Sequence, residues 1–130
     1  MTSTKTRVSK IATVIVPVAN LDAQIEFYTD KLGLEKRVDI PFGDKYRWVE
    51  VAAGDAETTI ALAPPPPGGS SGNRQTGISL YAEDIDGYYA ELKGAGVDVD
   101  PEISRMGDPV PPLFWLRDPD NNTLMVAGAN

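Results

Sequence analysis

Glu50, Arg105 and Arg117 are the side chains of this sequence best suited to acid–base or oxyanion chemistry. Tyr46, Trp48, Tyr81, Trp115 and Met125 are those best suited to gripping a flat ligand. A desolvated carboxylate can serve as a general base, and a guanidinium can stabilise developing negative charge. Aromatic faces and a thioether bury flat apolar area. The absences are as informative. The chain has no His and no Cys, which excludes Ser-His-Asp triads, thiolate nucleophiles, disulfide frameworks and Cys-ligated zinc or iron–sulfur clusters. Any metal is restricted to a hard, oxygen-preferring cation such as Mg²⁺ or Ca²⁺.

Nineteen acidic residues against twelve basic ones give a net charge of −7. Nucleic acid is therefore not an expected partner, since it requires a basic surface. The acidity is compatible with plain solubility or with a cationic ligand. With 130 residues, 42% apolar and 24% charged, the composition is that of an ordinary globular domain. Residues 1–10 form a tail without the long apolar run of a signal peptide, and no later stretch is long enough to span a bilayer. The expectation is a cytoplasmic protein with no membrane partner.

The elements that must position these residues are written twice. Ile11–Val18 is a β-branched run that predicts a strand. Asn20 offers an N-cap to a helix carrying Ile25, Phe27, Tyr28 and Leu32, and Gly33 stops it. Strands are predicted at Leu34–Ile40, Lys45–Ala52 and Thr58–Ala63, separated by turns at 41–44 and 54–55. Residues 64–76, rich in Pro, Gly and Ser, read as a linker. The pattern then restarts. A strand at Gly77–Ala82 leads to an N-cap at Asp84, a helix with Ile85, Tyr88, Tyr89 and Leu92, and stops at Gly94 and Gly96. Strands follow at Val97–Val99, Leu113–Arg117 and Thr123–Ala127.

Shifting the sequence by 64 positions lays Val18-Ala19-Asn20-Leu21-Asp22 on Ala82-Glu83-Asp84-Ile85-Asp86, and Thr59–Ala63 on Thr123–Ala127. The register slips by three between these anchors, where Trp48 matches Trp115. The predicted fold is α+β: two tandem βαβββ modules, 11–63 and 77–130, forming a curved, partly open sheet with helices on the outside. Strand alternation puts Val14, Val16, Val18, Val49, Val51, Ile60 and Leu62 under the helices. The opposite, concave face receives Tyr46, Trp48, Glu50, Tyr81, Trp115, Arg117 and Met125. The two Trp either form opposing walls of one slot or fill the sheets. Glu50 and Arg117 either contact a ligand or make a cross-sheet ion pair. Arg105 and Met106, in the loop Ile103–Pro112, either close over the mouth or stay solvated.

The duplicated unit, with residues 18–33 (Val-Ala-Asn-Leu-Asp…Phe-Tyr…Leu-Gly) and 114–126 (Phe-Trp-Leu-Arg-Asp-Pro-Asp-Asn-Asn-Thr-Leu-Met-Val), resembles the vicinal-oxygen-chelate superfamily. That group includes glyoxalases, extradiol dioxygenases, fosfomycin-resistance transferases and bleomycin-resistance proteins. Asn121 stands where the family's turn usually has Gly, and Asn tolerates a left-handed backbone. The resemblance implies metal ligands on the first and fourth strands of each half. Carried onto this chain, those positions are Thr13, Ala61, Gly77 and Met125, which make no hard-cation site. No metal and no other cofactor is expected.

The resulting expectation is a metal-free binder similar to the bleomycin-resistance branch, sequestering an aromatic and cationic small molecule. The resemblance also implies a homodimer that completes the pocket. The alternative is a cofactor-independent isomerase, lyase or cyclase, with Glu50 as base and Arg117 or Arg105 stabilising an oxyanion. A metal-dependent glyoxalase or dioxygenase ranks last.

Overall fold

A computed structural model describes residues 6–129; the outer part of the N-terminal tail, residues 1–5, and Asn130 lie outside it. Eight strands form two four-stranded sheets, and one helix packs with each. In the first half, β1 (Thr13–Pro17) is followed by α1 (Leu21–Glu26), which runs on through a π-helical turn, Phe27–Lys31. Then come β2 (Glu35–Phe42), β3 (Tyr46–Ala52) and β4 (Thr59–Ala63). The second half repeats the order with β5 (Gln75–Ala82), α2 (Ile85–Gly94), β6 (Asp98–Val99), β7 (Leu113–Arg117) and β8 (Thr123–Gly128). Each first strand lies parallel to its fourth, giving the orders β1-β4-β3-β2 and β5-β8-β7-β6. The architecture is α+β with two βαβββ units and no closed barrel, as the repeat predicts.

Local chemistry explains the ends of the helices. The Asn20 side chain accepts from the Ala23 N–H at 3.1 Å, and the Asp84 side chain accepts from the Gly87 N–H at 3.0 Å. Gly33, at φ +85°, ends the first helical stretch in the left-handed region. Asn121 does adopt φ +61°, so the turn survives the loss of its glycine.

The helix-facing side chains of both sheets share one core. Val16, Val49, Val51, Leu62, Phe114, Leu116, Leu124 and Val126 join Tyr28, Ile85 and Leu92 in a single buried cluster. Each large apolar side chain so placed contributes roughly 1.5–3 kcal/mol. The helix stripe Tyr88, Tyr89 and Leu92 belongs to this packing: Leu92 is buried, Tyr88 Oη donates to the Leu32 carbonyl, and Tyr89 Oη donates to the Asp100 carbonyl. Burial, with the Glu91 charge nearby, pushes the Tyr88 phenol up to about 12.

The two sheets differ in register at one place. Ser79 pairs with Met125 just as Ile15 pairs with Ala61, as the 64-residue offset requires. Before that point, however, Gln75 pairs with Thr123, the place that Thr13 takes opposite Thr59. β5 thus bulges between Gln75 and Ser79, with Gly77 at φ +74°. The bulge ties itself down: the Gly77 N–H donates to Gln75 Oε1 and the Ile78 N–H to Thr76 Oγ1. By strand pairing, the counterpart of Thr13 is therefore Gln75, which corrects the equivalence to Gly77 that counting alone predicts.

Candidate functional site

The site begins with the alternation of β3. Val49 and Val51 are fully buried on the helix side, so Trp48 and Glu50 face the other way. Being two apart on one strand face, they meet. Trp48 Nε1 donates to Glu50 Oε2 at 2.7 Å. The other Glu50 oxygen accepts from Thr59 Oγ1 at 2.8 Å, and Thr59 shares a further 2.8 Å hydrogen bond with the Thr13 hydroxyl. A polar chain thus crosses β3, β4 and β1 beneath the indole and fixes its orientation.

Trp48 forms one wall of a cleft of about 1110 Å³. Ile15, Pro17 and Tyr46 continue that wall, and Pro64–Pro67 stand with Arg74, Gln75 and Thr76 among the other lining residues. The linker therefore does more than connect the halves: its prolines are part of the cleft. Glu50 is not among the lining residues.

A turn from the second half holds the end of the linker in place. The Asp118 carboxylate, almost fully buried, accepts from Tyr28 Oη (2.8 Å), from the Asn122 side chain and backbone (2.9 Å each) and from the Asp120 N–H (2.9 Å). Burial, then the Asp118 charge, raises the Tyr28 phenol far above its ordinary value, so it remains a donor. Asp120 reaches the first half through the Ala19 N–H (3.1 Å) and accepts from the Asn73 N–H through its carbonyl (2.9 Å). Asn122 Oδ1 accepts from the Arg74 N–H at 3.2 Å. One turn thus joins β1's exit, the π-helical turn after α1 and the linker's last residues.

The remaining predicted residues lie elsewhere. Trp115 and Met125 face each other across β7 and β8 on the second sheet, and neither lines the cleft, so the chain does not place the two Trp across one slot. Tyr81 is 67% exposed on β5. Arg105 pairs with Asp86 at 2.6 Å rather than covering the mouth. The cross-sheet pair between Glu50 and Arg117 does not form. Arg117 instead bridges Asp98 and Asp100, each at 2.9 Å, which raises its pKa, the Asp98 hydrogen bond acting most strongly. Asp98 lies directly opposite Arg117 in the β6–β7 ladder, so the nearer carboxylates win.

The residues that sequence reasoning missed are Arg74, Gln75, Thr76 and the linker prolines. Their composition signals a connector, and only the turn at 118–122 makes them a wall. At the positions implied for a metal the donors do not fit one. The Thr13 hydroxyl is engaged with Thr59, Ala61 and Met125 offer a methyl and a thioether, and Gln75 Oε1 already accepts from Gly77. Among the described residues no three of His, Cys, Asp or Glu cluster in a way that could hold a metal.

Residues 10–126, which include the Asp-Pro-Asp turn and nearly all of both βαβββ units, match the family model of the glyoxalase/bleomycin resistance protein/dioxygenase superfamily. The chain belongs to this superfamily. YetH, an uncharacterised protein of Bacillus subtilis (strain 168), is 32% identical over 119 residues, covering 92% of this chain and 98% of YetH. Among solved structures, TnmS3, described as an antibiotic binding protein from Streptomyces sp. CB03234, superposes with a TM-score of 0.84 at 26% identity, covering 97% of this chain and all of TnmS3. A superfamily member from Sphaerobacter thermophilus DSM 20745 gives 0.84 at 29% identity, covering 93% of this chain and 98% of that one. Members share the fold, and a shared fold does not by itself determine function.

Proposed function

We propose that this superfamily member binds a flat, largely apolar aromatic compound in the cleft beside Trp48 and sequesters it without turnover, independently of metal or other cofactor. The observation that carries the reading is the indole held by Glu50 in a cleft that four prolines also line. A pre-oriented aromatic plane loses little freedom on binding, so its stacking energy is retained as affinity. The likeness to an antibiotic-binding protein supports the same reading. A catalytic base is disfavoured by the geometry, because both Glu50 oxygens already accept hydrogen bonds.

The proposal includes a homodimer in the cytoplasm. Ile15, Tyr46 and Tyr81 are each more than half exposed on the open sheet faces, and a second copy would cover them. No helix among the described residues is long and apolar enough to cross a membrane. A cationic ligand would suit the net charge of −7, but it would meet Arg74 in the cleft, where no carboxylate is among the walls.

Tryptophan fluorescence titration against a panel of aromatic compounds, with recovery of each compound measured afterwards, tests the reading. Saturable quenching at one ligand per chain with full recovery is the expected outcome. Conversion of a bound compound would replace sequestration by catalysis, and a panel to which neither Trp responds would sink the cleft as a site. Sedimentation equilibrium at micromolar concentration should give twice the chain mass.

A further inference from the structure

The charges around the cleft specify the ligand more narrowly than its shape does. Among the described residues that line the cleft, Arg74 alone is charged, and neither Asp nor Glu accompanies it. At Tyr46, Pro64 and Pro65 the cleft adjoins a second, smaller one of about 640 Å³, lined by Lys45, Arg47, Asp22 and Ser71 among others. The three cations of this region are not equivalent. Arg47 is neutralised: it grips Asp39 through Nε (2.9 Å) and Nη2 (2.6 Å) and Asp22 through Nη1 (3.0 Å). Those contacts raise the Arg47 pKa and hold Asp39 well below the usual carboxylate range.

Arg74 and Lys45, by contrast, have no carboxylate partner within ion-pair distance among the described residues. Arg74 Nη2 donates to the Ser70 carbonyl at 2.6 Å, a neutral acceptor that leaves its charge uncompensated. In a chain with seven more acidic than basic residues, the cleft's own walls carry a cation and no carboxylate, and Lys45 lines the adjoining cleft. A guanidinium presents a planar fork that fits a carboxylate or phenolate edge, and apolar walls reduce the screening of that contact.

We propose that the cleft selects planar aromatic acids: the ring system lies against Trp48 and Tyr46, and its carboxylate or phenolate edge meets Arg74. Lys45 adds longer-range attraction from the adjoining cleft. The inference rests on the aromatic-binding reading above and replaces the expectation of a cationic ligand with its opposite.

Calorimetric titration of the full chain with three matched probes separates the two claims. These are anthracene-9-carboxylate, the uncharged anthracene-9-methanol and 9-(ammoniomethyl)anthracene, all at one low ionic strength. The carboxylate should bind about tenfold more tightly than the alcohol, and the ammonium more weakly than either. Arg74→Gln should bring the carboxylate to within about twofold of the alcohol, both measured on the same variant. Lys45→Gln should weaken the carboxylate by about twofold to threefold. An ammonium that binds as well as the carboxylate, or a preference that survives Arg74→Gln, overturns the proposal. If the alcohol binds and Trp48→Ala weakens it while charge makes no difference, the acid preference fails and the aromatic cleft stands. If none of the three binds, both fail.

Discussion

Trp48 and Trp115 share the third strand and the open face of their halves, but strand pairing sets Trp115 opposite Met125 where the first half sets Glu50 opposite Ala61. The two indoles thus stand two residues apart rather than at the matching place that counting predicts, and their surroundings differ. On the first sheet the indole N–H is tied to Glu50, and Thr59, Ala61 and Ala63 of the central strand are buried beside it. On the second sheet it is the Trp115 backbone N–H that is tied, to Asp100, and Thr123, Met125 and Ala127 remain half-exposed. The first half turned its open face into a walled cleft by recruiting the linker and the bulged start of β5. The second half supplied those pieces and kept its own face uncovered. Duplication gave two copies of one scaffold, and the connection between them walls a cleft on the first copy.

The sharpest way to break this division of labour is to cut the clasp that serves both halves. Asp118→Ala leaves the Tyr28 hydroxyl and the Asn122 amide buried without an acceptor, and should lower stability by about 3 kcal/mol in urea unfolding. A loss below about 1 kcal/mol would mean that the halves do not depend on this turn. Next in size is the contrast between the two indoles. Trp48→Ala should weaken an aromatic ligand at least tenfold, about 1.4 kcal/mol, whereas Trp115→Ala should change its Kd by less than about twofold. Equal effects would restore a shared slot and erase the asymmetry.

Gly77→Ala probes the bulge. At φ +74° a Cβ is strained even though the space around it is open, so a loss of about 1–2 kcal/mol is expected in thermal unfolding. The smallest effect concerns the ion pairs that both halves retain. The Arg117 hydrogen bond lowers the folded-state pKa of Asp98. Its contribution is therefore present above the unfolded carboxylate value of about 3.9 and is lost as pH falls through the folded one. Asp98 is mostly exposed, so Asp98→Asn should cost less than about 1 kcal/mol at pH 7, and the cost should shrink as the pH is lowered below the ordinary carboxylate range.

Much of the fold was legible because its signals are local. Asn20 and Asp84 cap their helices through neighbours three residues away, and the period-two alternation around Val49 and Val51 assigns Trp48 and Glu50 to one face without any tertiary knowledge. The site was less legible because its partners were chosen by competition. Glu50 and Arg117 look complementary at a distance, but a carboxylate two residues from an indole on the same strand face needs no long-range alignment to pair with it. Arg117 likewise finds Asp98 directly across the ladder. Nor could counting reveal the bulge, since the offset of 64 was anchored on residues beyond it and was carried back to Thr13, where pairing gives 62 instead. The linker was the hardest to interpret. Its composition is that of a spacer, and its role as a wall comes from hydrogen bonds to residues 118–122 that no neighbouring residue announces.

The four consecutive prolines have a consequence for how such a protein changes over time. Their rings fix φ and remove every N–H from that stretch, so the wall is stiff and makes no ladder that an insertion would disrupt. Adding or deleting one proline shifts the facing surface by up to about 3 Å while leaving the shared core untouched. Cleft width is thereby inherited separately from foldability, and a proline-number series read against the ring-system size of test compounds would measure how freely the one can drift without the other.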